Sequence, residues 1–172
     1  MDYERFMRRC YELAINAGKK GHDTFGAVLV YQNQIIAEAE NTADYNQGIF
    51  GHAEFNLVHQ CANRYPDQML KDAVFFTSCA PCERCLCAIA SLGIRKVICG
   101  VSYRSFCRLL PFEYVPIDRE ELLSSLGITM EITESLLEEE GMQVFQWWGG
   151  QFRPLDEMIV EMDELKALNK KQ

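Results

Sequence analysis

The chain has 172 residues, of which 48% are hydrophobic and 24% are charged, and its formal net charge is −8. This composition predicts one globular domain. No apolar run approaches the about 20 residues of a membrane span. The first residues lack the apolar core of a secretory leader. Without a membrane span or a leader, we expect a cytoplasmic protein. Lys and Arg form only small clusters, whereas phosphate backbones are bound by larger ones, so the sequence disfavours a long nucleic acid as partner.

The first part of the chain predicts a helix, a strand hairpin and a second helix. Apolar residues recur at helical spacing in both helices, and short apolar runs rich in strand formers flank a polar turn. In chain order we expect a helix over 2–20, strands over 25–31 and 35–40, a polar loop over 41–51 and a helix over 53–65.

The second part alternates between strands and helices. The expected elements are a strand over 73–77, a loop over 78–81, a helix over 82–92, a strand over 97–101, a helix near 118–126, a strand near 127–132, and helices over 134–147 and 154–169. Such alternation predicts crossover connections and parallel strand pairs, and therefore a three-layer α/β/α domain. We assign this domain to residues 1–150 and a C-terminal amphipathic helix to 151–172.

Four side chains with metal chemistry stand in two short stretches. His52 and Glu54 form the first, and Pro81, Cys82 and Cys85 form the second. Catalytic zinc takes three protein ligands and leaves one position for water. The two thiolates and the imidazole are therefore the candidate ligands, and Glu54 is the candidate proton carrier for a bound water or hydroxide. This H-x-E and P-C-x-x-C order is typical of zinc-dependent deaminases.

The spacing within each stretch predicts that both open a helix. Cys82 and Cys85 are three residues apart and share one face of a first helical turn, and Pro81 suits the position ahead of it. On a regular helix His52 and Glu54 would diverge by about 200°. Both can face one ion only where a loop joins a helix. Helix N-termini also favour thiolates and a bound hydroxide.

Two other kinds of metal site match part of this pattern. A closed structural zinc site would need four protein ligands and would not need Glu54. The run of Cys79, Cys82 and Cys85 is similar to that of iron–sulfur proteins, but a correctly spaced fourth cysteine and its following proline are missing. Most of the remaining cysteines lie in apolar stretches, which predicts buried thiols: Cys10, Cys61, Cys79, Cys87, Cys99 and Cys107.

Over roughly residues 2–148 the chain resembles the cytidine and deoxycytidylate deaminase superfamily, in the branch of guanine deaminase, bacterial cytosine deaminase and the tRNA adenosine deaminases. Besides the two metal stretches, the resemblance includes Phe25-Gly26-Ala27-Val28 and Asn41, eleven positions before His52. Thr77-Ser78-Cys79 is most similar to the guanine deaminases.

This resemblance implies a fold, a cofactor and a set of site residues. It implies a central mixed five-stranded sheet, a homodimer and one Zn²⁺ per chain. In related guanine deaminases the C-terminal segment closes over an active site, which the 154–169 helix would do here unless it packs on its own subunit. The implied site residues are His52, Cys82 and Cys85 as zinc ligands, Glu54 as catalytic residue, and Asn41, Phe25 and the backbone of Ala53 as substrate contacts.

Three positions depart from the family pattern. Ala80 stands where Glu is usual, Arg84 where Met is usual, and Thr24 where Pro is common. None belongs to the metal set, so the reaction is better determined than the substrate. We expect hydrolytic deamination of a free nucleobase or nucleoside, with a guanine-type purine preferred and ammonia released. The alternatives are a cytosine- or cytidine-type deaminase, a tRNA adenosine deaminase, and a catalytically idle zinc fold used for protein association.

Overall fold

The computed structural model describes residues 2–43, 48–115 and 117–170, so part of the expected 41–51 loop lies outside the described residues. The strands are β1 Gly26–Tyr31, β2 Gln34–Glu40, β3 Val74–Cys79, β4 Lys96–Val101, β5 Glu131–Thr133, β6 Trp147–Trp148 and β7 Gln151–Phe152. The helices are α1 Tyr3–Lys19, α2 Ala53–Cys61, α3 Asp67–Asp72, α4 Glu83–Ser91, α5 Tyr103–Phe106, α6 Arg119–Ser125, α7 Glu138–Val144 and α8 Leu155–Asn169. Short 3₁₀ turns occupy Gly48–Gly51 and Cys107–Leu109.

The central sheet has five strands in the order β2-β1-β3-β4-β5. β1 pairs antiparallel with β2 and β3, whereas β3, β4 and β5 run parallel. Neighbouring residues of one strand enter opposite cores, as Phe75 and Phe76 do on β3. Because apolar side chains cover both faces, helices must cover both. α1 and α7 pack on one face, and α2 and α4 pack on the other. The predicted three-layer fold with a mixed five-stranded sheet is confirmed.

The strand pairing brings three chain segments to one edge of the sheet. Gly26 pairs with Glu40, and Ala27 pairs with Thr77. The start of β1, the end of β2 and the end of β3 therefore meet at this edge. A side chain at Gly26 would place its Cβ 2.4 Å from the carbonyl oxygen of Cys10, so glycine lets α1 lie directly against β1.

The helix predicted over 53–65 is shorter in the structure. α2 ends at Cys61, Asn63 adopts a φ of 61°, and a separate helix α3 begins after Pro66. The left-handed residue breaks the helical hydrogen-bond ladder, and proline restarts a helix because its missing N–H is not needed there. The short α3 was not predicted.

The region 127–148 also differs from its prediction. β5 spans only Glu131–Thr133, and α7 begins at Glu138 because Ser135 and Leu137 have φ values of 68° and 56°. The paired tryptophans form the first strand of the β6–β7 hairpin and do not end a helix. The left-handed residues therefore set a helix start that the sequence pattern did not indicate.

The C-terminal helix packs on its own chain beside the Cys107–Leu109 turn. Lys166 donates a hydrogen bond to the carbonyl oxygen of Arg108 at 3.3 Å, and Asn169 donates one to that of Pro111 at 2.9 Å. Within the three described segments, no helix is long and apolar enough to cross a membrane.

Candidate active site

Both metal-binding stretches open helices, as their spacing predicts. His52 is the residue immediately before α2, and Cys82 is the residue immediately before α4. Both have extended backbone dihedrals, with ψ values of 141° and 163°. His52 is extended, whereas Glu54 is helical. Their side chains therefore need not diverge by the about 200° that a regular helix would impose.

The structure brings His52, Cys82 and Cys85 together. One ligand atom of each lies within 4.8 Å of the others, a geometry that can hold a metal ion. Nδ1 of His52 is 3.9 Å from Sγ of Cys82 and 3.4 Å from Sγ of Cys85. One imidazole and two sulfur atoms suit zinc, and three protein ligands leave a fourth position open. Glu54 is not a member of this group.

Mutual hydrogen bonding favours a thiolate at Cys82 and keeps protons on its two neighbours. The contact with Cys85 is the largest cause that lowers the pKa of Cys82, to about 3, and His52 lowers it further. In return, the Cys82 thiolate raises the pKa of His52 and that of Cys85. A negative charge thus lies at the start of α4, where the helix N-terminus stabilises it and a bound cation would do so too.

Glu54 lies buried beside this group, with 5% of its surface exposed. Burial is the largest cause acting on its carboxyl group and raises its pKa. The hydroxyl of Thr77, on β3, lies 3.0 Å from Oε1 of Glu54 and 2.9 Å from the carbonyl oxygen of Cys79. A hydroxyl has one proton and donates to one acceptor at a time. It can therefore donate to the ionised carboxylate and turn to Cys79 when Glu54 carries a proton.

Asn41 lies at this edge of the sheet, and the NH₂ group of its side chain is left for a ligand. Its side chain is fully buried, and its backbone N–H donates to the carbonyl oxygen of Phe25 at 2.9 Å. Oδ1 accepts the backbone N–H of Ala43 at 2.6 Å. Nδ2 has no acceptor among the described residues. Because buried donors are nearly always satisfied, this nitrogen indicates a place for a hydrogen-bond acceptor from outside the chain.

The two other predicted substrate contacts have different surroundings. Phe25 belongs to an aromatic cluster, with its ring 5.5 Å from that of Phe106, 5.7 Å from that of Phe145 and 5.9 Å from that of Trp148. Its orientation is therefore fixed by its own chain. Ala53 is fully buried at the first position of α2.

Several residues around the site were not predicted to take part in it. Thr77 entered the sequence analysis only through the family resemblance, and no local pattern reveals its contact with Glu54. Asp23 lies close enough to His52 for the imidazole charge to act on its pKa, which burial raises.

Arg119 connects the segment just before Cys82 to the second half of the chain. It donates to the carbonyl oxygen of Pro81 at 3.4 Å, pairs with Glu134 and lies over the ring of Tyr103 at 5.1 Å. Arg84, by contrast, is exposed and takes part in none of the ion pairs that connect the described residues.

Residues 1–101 match the family model of the cytidine and deoxycytidylate deaminase zinc-binding region. The chain belongs to this deaminase family. The matched region contains both metal stretches. Together with the geometry of the His52, Cys82 and Cys85 group, the match confirms the prediction of zinc as the cofactor.

Individual members of the deaminase family are similar over part of their length. Guanine deaminase of Bacillus subtilis (strain 168) is 37% identical over 92 residues, which are 52% of this chain and 58% of the relative. The tRNA-specific adenosine deaminase of the same organism is 30% identical over 97 residues, which are 56% of this chain and 60% of the relative. The chain thus spans about three fifths of the length of these relatives.

The guanine deaminase from Nitrosomonas europaea has the same fold. Its structure superposes with a TM-score of 0.68 at 18% identity, over 91% of this chain and 84% of that one.

Proposed function

We propose that this chain deaminates a free nucleobase or nucleoside by hydrolysis, with a guanine-type purine preferred. The observation that carries the proposal is the buried carboxyl group of Glu54 beside a three-ligand group. Glu54 follows His52 by two residues, and the charges of His52 and Cys82 both act on its pKa. A closed structural metal site has no use for such a carboxyl group, whereas hydrolysis needs a group that moves protons.

In this proposal His52, Cys82 and Cys85 hold zinc, and Glu54 is the catalytic residue. Bound zinc supplies a Lewis acid that lowers the pKa of water from about 15.7 to roughly 7. The Glu54 carboxylate accepts a proton from the attacking water and delivers it to a ring nitrogen of the heterocycle. Glu54 then accepts the second proton, from the hydroxyl group now attached to the ring carbon, and passes it to the amino group. The C–N bond breaks, a carbonyl group replaces the amine and ammonia leaves. Burial aids Glu54 here, because a raised pKa favours holding the proton between the two transfers.

Asn41, Phe25 and the backbone of Ala53 would bind the substrate. The free Nδ2 of Asn41 offers a donor to a ring nitrogen or an exocyclic oxygen of a base. Phe25 presents an aromatic face that its neighbours hold in place. The sequence similarity to guanine deaminase supports a purine.

A tRNA adenosine deaminase is the rival enzyme, because a relative of that activity is 30% identical over 97 residues. The net charge of −8 opposes it, since binding a tRNA backbone requires clustered cations. A cytosine- or cytidine-type substrate stays open in the same family. An idle zinc fold is disfavoured because burying an ionisable carboxyl group costs stability that a non-catalytic protein would not need to lose.

Ammonia release by the zinc-loaded protein tests the proposal. The panel contains guanine, guanosine, cytosine, cytidine, deoxycytidylate, adenine and an adenosine-containing tRNA anticodon stem. We expect turnover of guanine or its derivatives, and a loss of about 10²- to 10⁴-fold in Glu54→Gln. Turnover of the anticodon stem alone would establish the rival enzyme. No turnover of any compound at one zinc per chain would favour the idle fold.

We also propose a cytoplasmic homodimer. This proposal rests on the family resemblance, and light scattering on the full chain tests its assembly state. A monomer at micromolar concentration would contradict it.

A further inference from the structure

The loop between β2 and α2 carries two of the proposed site residues at its two ends. It begins with Asn41 and ends with His52. At its base the backbone N–H groups of Thr42 and Ala43 lie 2.8 Å and 3.2 Å from the carbonyl oxygen of Gly51. The two ends are therefore hydrogen-bonded to each other.

The backbones of Gly51 and Ala43 lie close together. A Cβ at Gly51 would lie 2.4 Å from both Cα and N of Ala43. Because glycine alone leaves that space free, the carbonyl oxygen of Gly51 can reach the N–H of Ala43. That same N–H also contacts Oδ1 of Asn41 at 2.6 Å. The position of Gly51 thus bears on which way the amide of Asn41 points.

The side chain of Asn56, on α2, contacts both ends of the loop. Its Nδ2 lies 3.0 Å from the carbonyl oxygen of Glu40, 3.0 Å from Oγ1 of Thr42 and 3.3 Å from the carbonyl oxygen of Gly51. Glu40 and Thr42 lie at the start of the loop, and Gly51 lies at its end. The backbone N–H of Asn56 also donates to the carbonyl oxygen of His52 at 2.9 Å.

We infer that Asn56 is a positioning residue that closes this loop and thereby orients the amide of Asn41 relative to the metal-binding group. Its two N–H donors hold Gly51 near Glu40 and Thr42. The carbonyl oxygen of Gly51 then meets the N–H of Ala43, and that N–H also engages Oδ1 of Asn41. Nδ2 of Asn41 is left for the substrate. The inference rests on the proposed function for its substrate part. Loss of these donors weakens substrate binding, whereas the metal group, which α2 and α4 hold independently, keeps its ion.

The test variant is Asn56→Asp, which keeps the shape but replaces both N–H donors by a carboxylate facing three oxygen acceptors. Gln60→Glu is the matched control, because it places the same charge one turn later on α2 at an exposed position. Asn56→Ala removes the contacts without adding charge, in case the aspartate prevents folding.

Three measurements on the zinc-loaded proteins decide the inference. We expect amide hydrogen exchange at Thr42 and Ala43 to be roughly tenfold faster in the Asn56 variants, the effect of about one hydrogen bond. We expect KM to rise by a similar factor, kcat to change much less, and zinc content to stay at one per chain. Gln60→Glu should match the parent in all three.

Exchange rates and KM equal to those of Gln60→Glu would overturn the inference, and so would loss of zinc together with kcat. If the parent releases no ammonia from any compound, the proposed function fails while the exchange rates at Thr42 and Ala43 still decide whether Asn56 closes the loop.

Discussion

The substitution Glu54→Gln separates proton transfer from metal binding. Glutamine has nearly the same shape and keeps an oxygen that can accept the Thr77 hydroxyl, now 3.0 Å from Oε1. Glu54 lies outside the three-ligand group, so the variant should keep its zinc. What it loses is the ability to accept and release a proton.

The expected loss of turnover is about 10²- to 10⁴-fold, the usual contribution of a general acid–base group. At 1.36 kcal/mol per tenfold this corresponds to about 3–5 kcal/mol of transition-state stabilisation. The hydrogen bond from Thr77 weakens from a charged to a neutral one, which accounts for only about 1 kcal/mol. Proton transfer must therefore supply most of the effect.

Although its turnover falls, the Glu54→Gln variant should gain stability at neutral pH. Burial raises the pKa of Glu54 above its ordinary value of 4.5, so the folded state binds the proton more tightly than the unfolded state does. The parent therefore loses stability as pH rises from 4.5 through the folded pKa, and a glutamine at this position does not. In metal-free protein, Glu54→Gln should exceed the parent in stability at pH 7 and approach it below pH 4.5.

Three assays check these expectations: zinc content by mass spectrometry, ammonia release on the best substrate, and urea unfolding of chelator-treated protein at pH 4.5 and pH 7. Glu120→Gln makes the same chemical change at an exposed position of α6 and should behave as the parent does. Loss of zinc from Glu54→Gln would show that Glu54 is a ligand. More than a tenth of parental turnover would refute its role as proton carrier.

Three further substitutions probe the ligands, the contact to Glu54 and the loop base. Cys82→Ala should lose zinc and have a lower melting temperature than the parent. A chelator should lower the melting temperature of the parent but not that of the variant. Retained zinc would exclude Cys82 as a ligand. Thr77→Val removes the hydroxyl that contacts Glu54, so turnover should fall about tenfold or more at unchanged zinc content, with Thr77→Ser restoring most of it; equal turnover in Thr77→Val would show that this hydrogen bond is dispensable. Gly51→Ala places a Cβ 2.4 Å from the backbone of Ala43 and should cost about 1–3 kcal/mol in urea unfolding, and an unchanged midpoint would mean that the loop base yields.

Local patterns were sufficient for β1 to β4 and for the helix starts at the site. The β1–β2 hairpin follows from two runs of strand formers around Gln32 and Asn33, which both adopt positive φ as a two-residue hairpin turn requires. The openings of α2 and α4 follow from the spacing of His52 with Glu54 and from Pro81. α3 and the late start of α7 did not follow, because left-handed residues interrupt segments that were predicted as continuous helices.

By itself the sequence determined the donor set and the reaction class, because the identity and spacing of His52, Glu54, Cys82 and Cys85 limit which ion and which chemistry they suit. Only the tertiary structure decided what surrounds those groups. Thr77 reaches Glu54 from 23 positions away because the fold brings the later part of β3 to the first turn of α2. The free amide of Asn41 and the three contacts of Asn56 likewise depend on how β1, β2 and α2 pack against one another, and no spacing along the chain encodes such contacts.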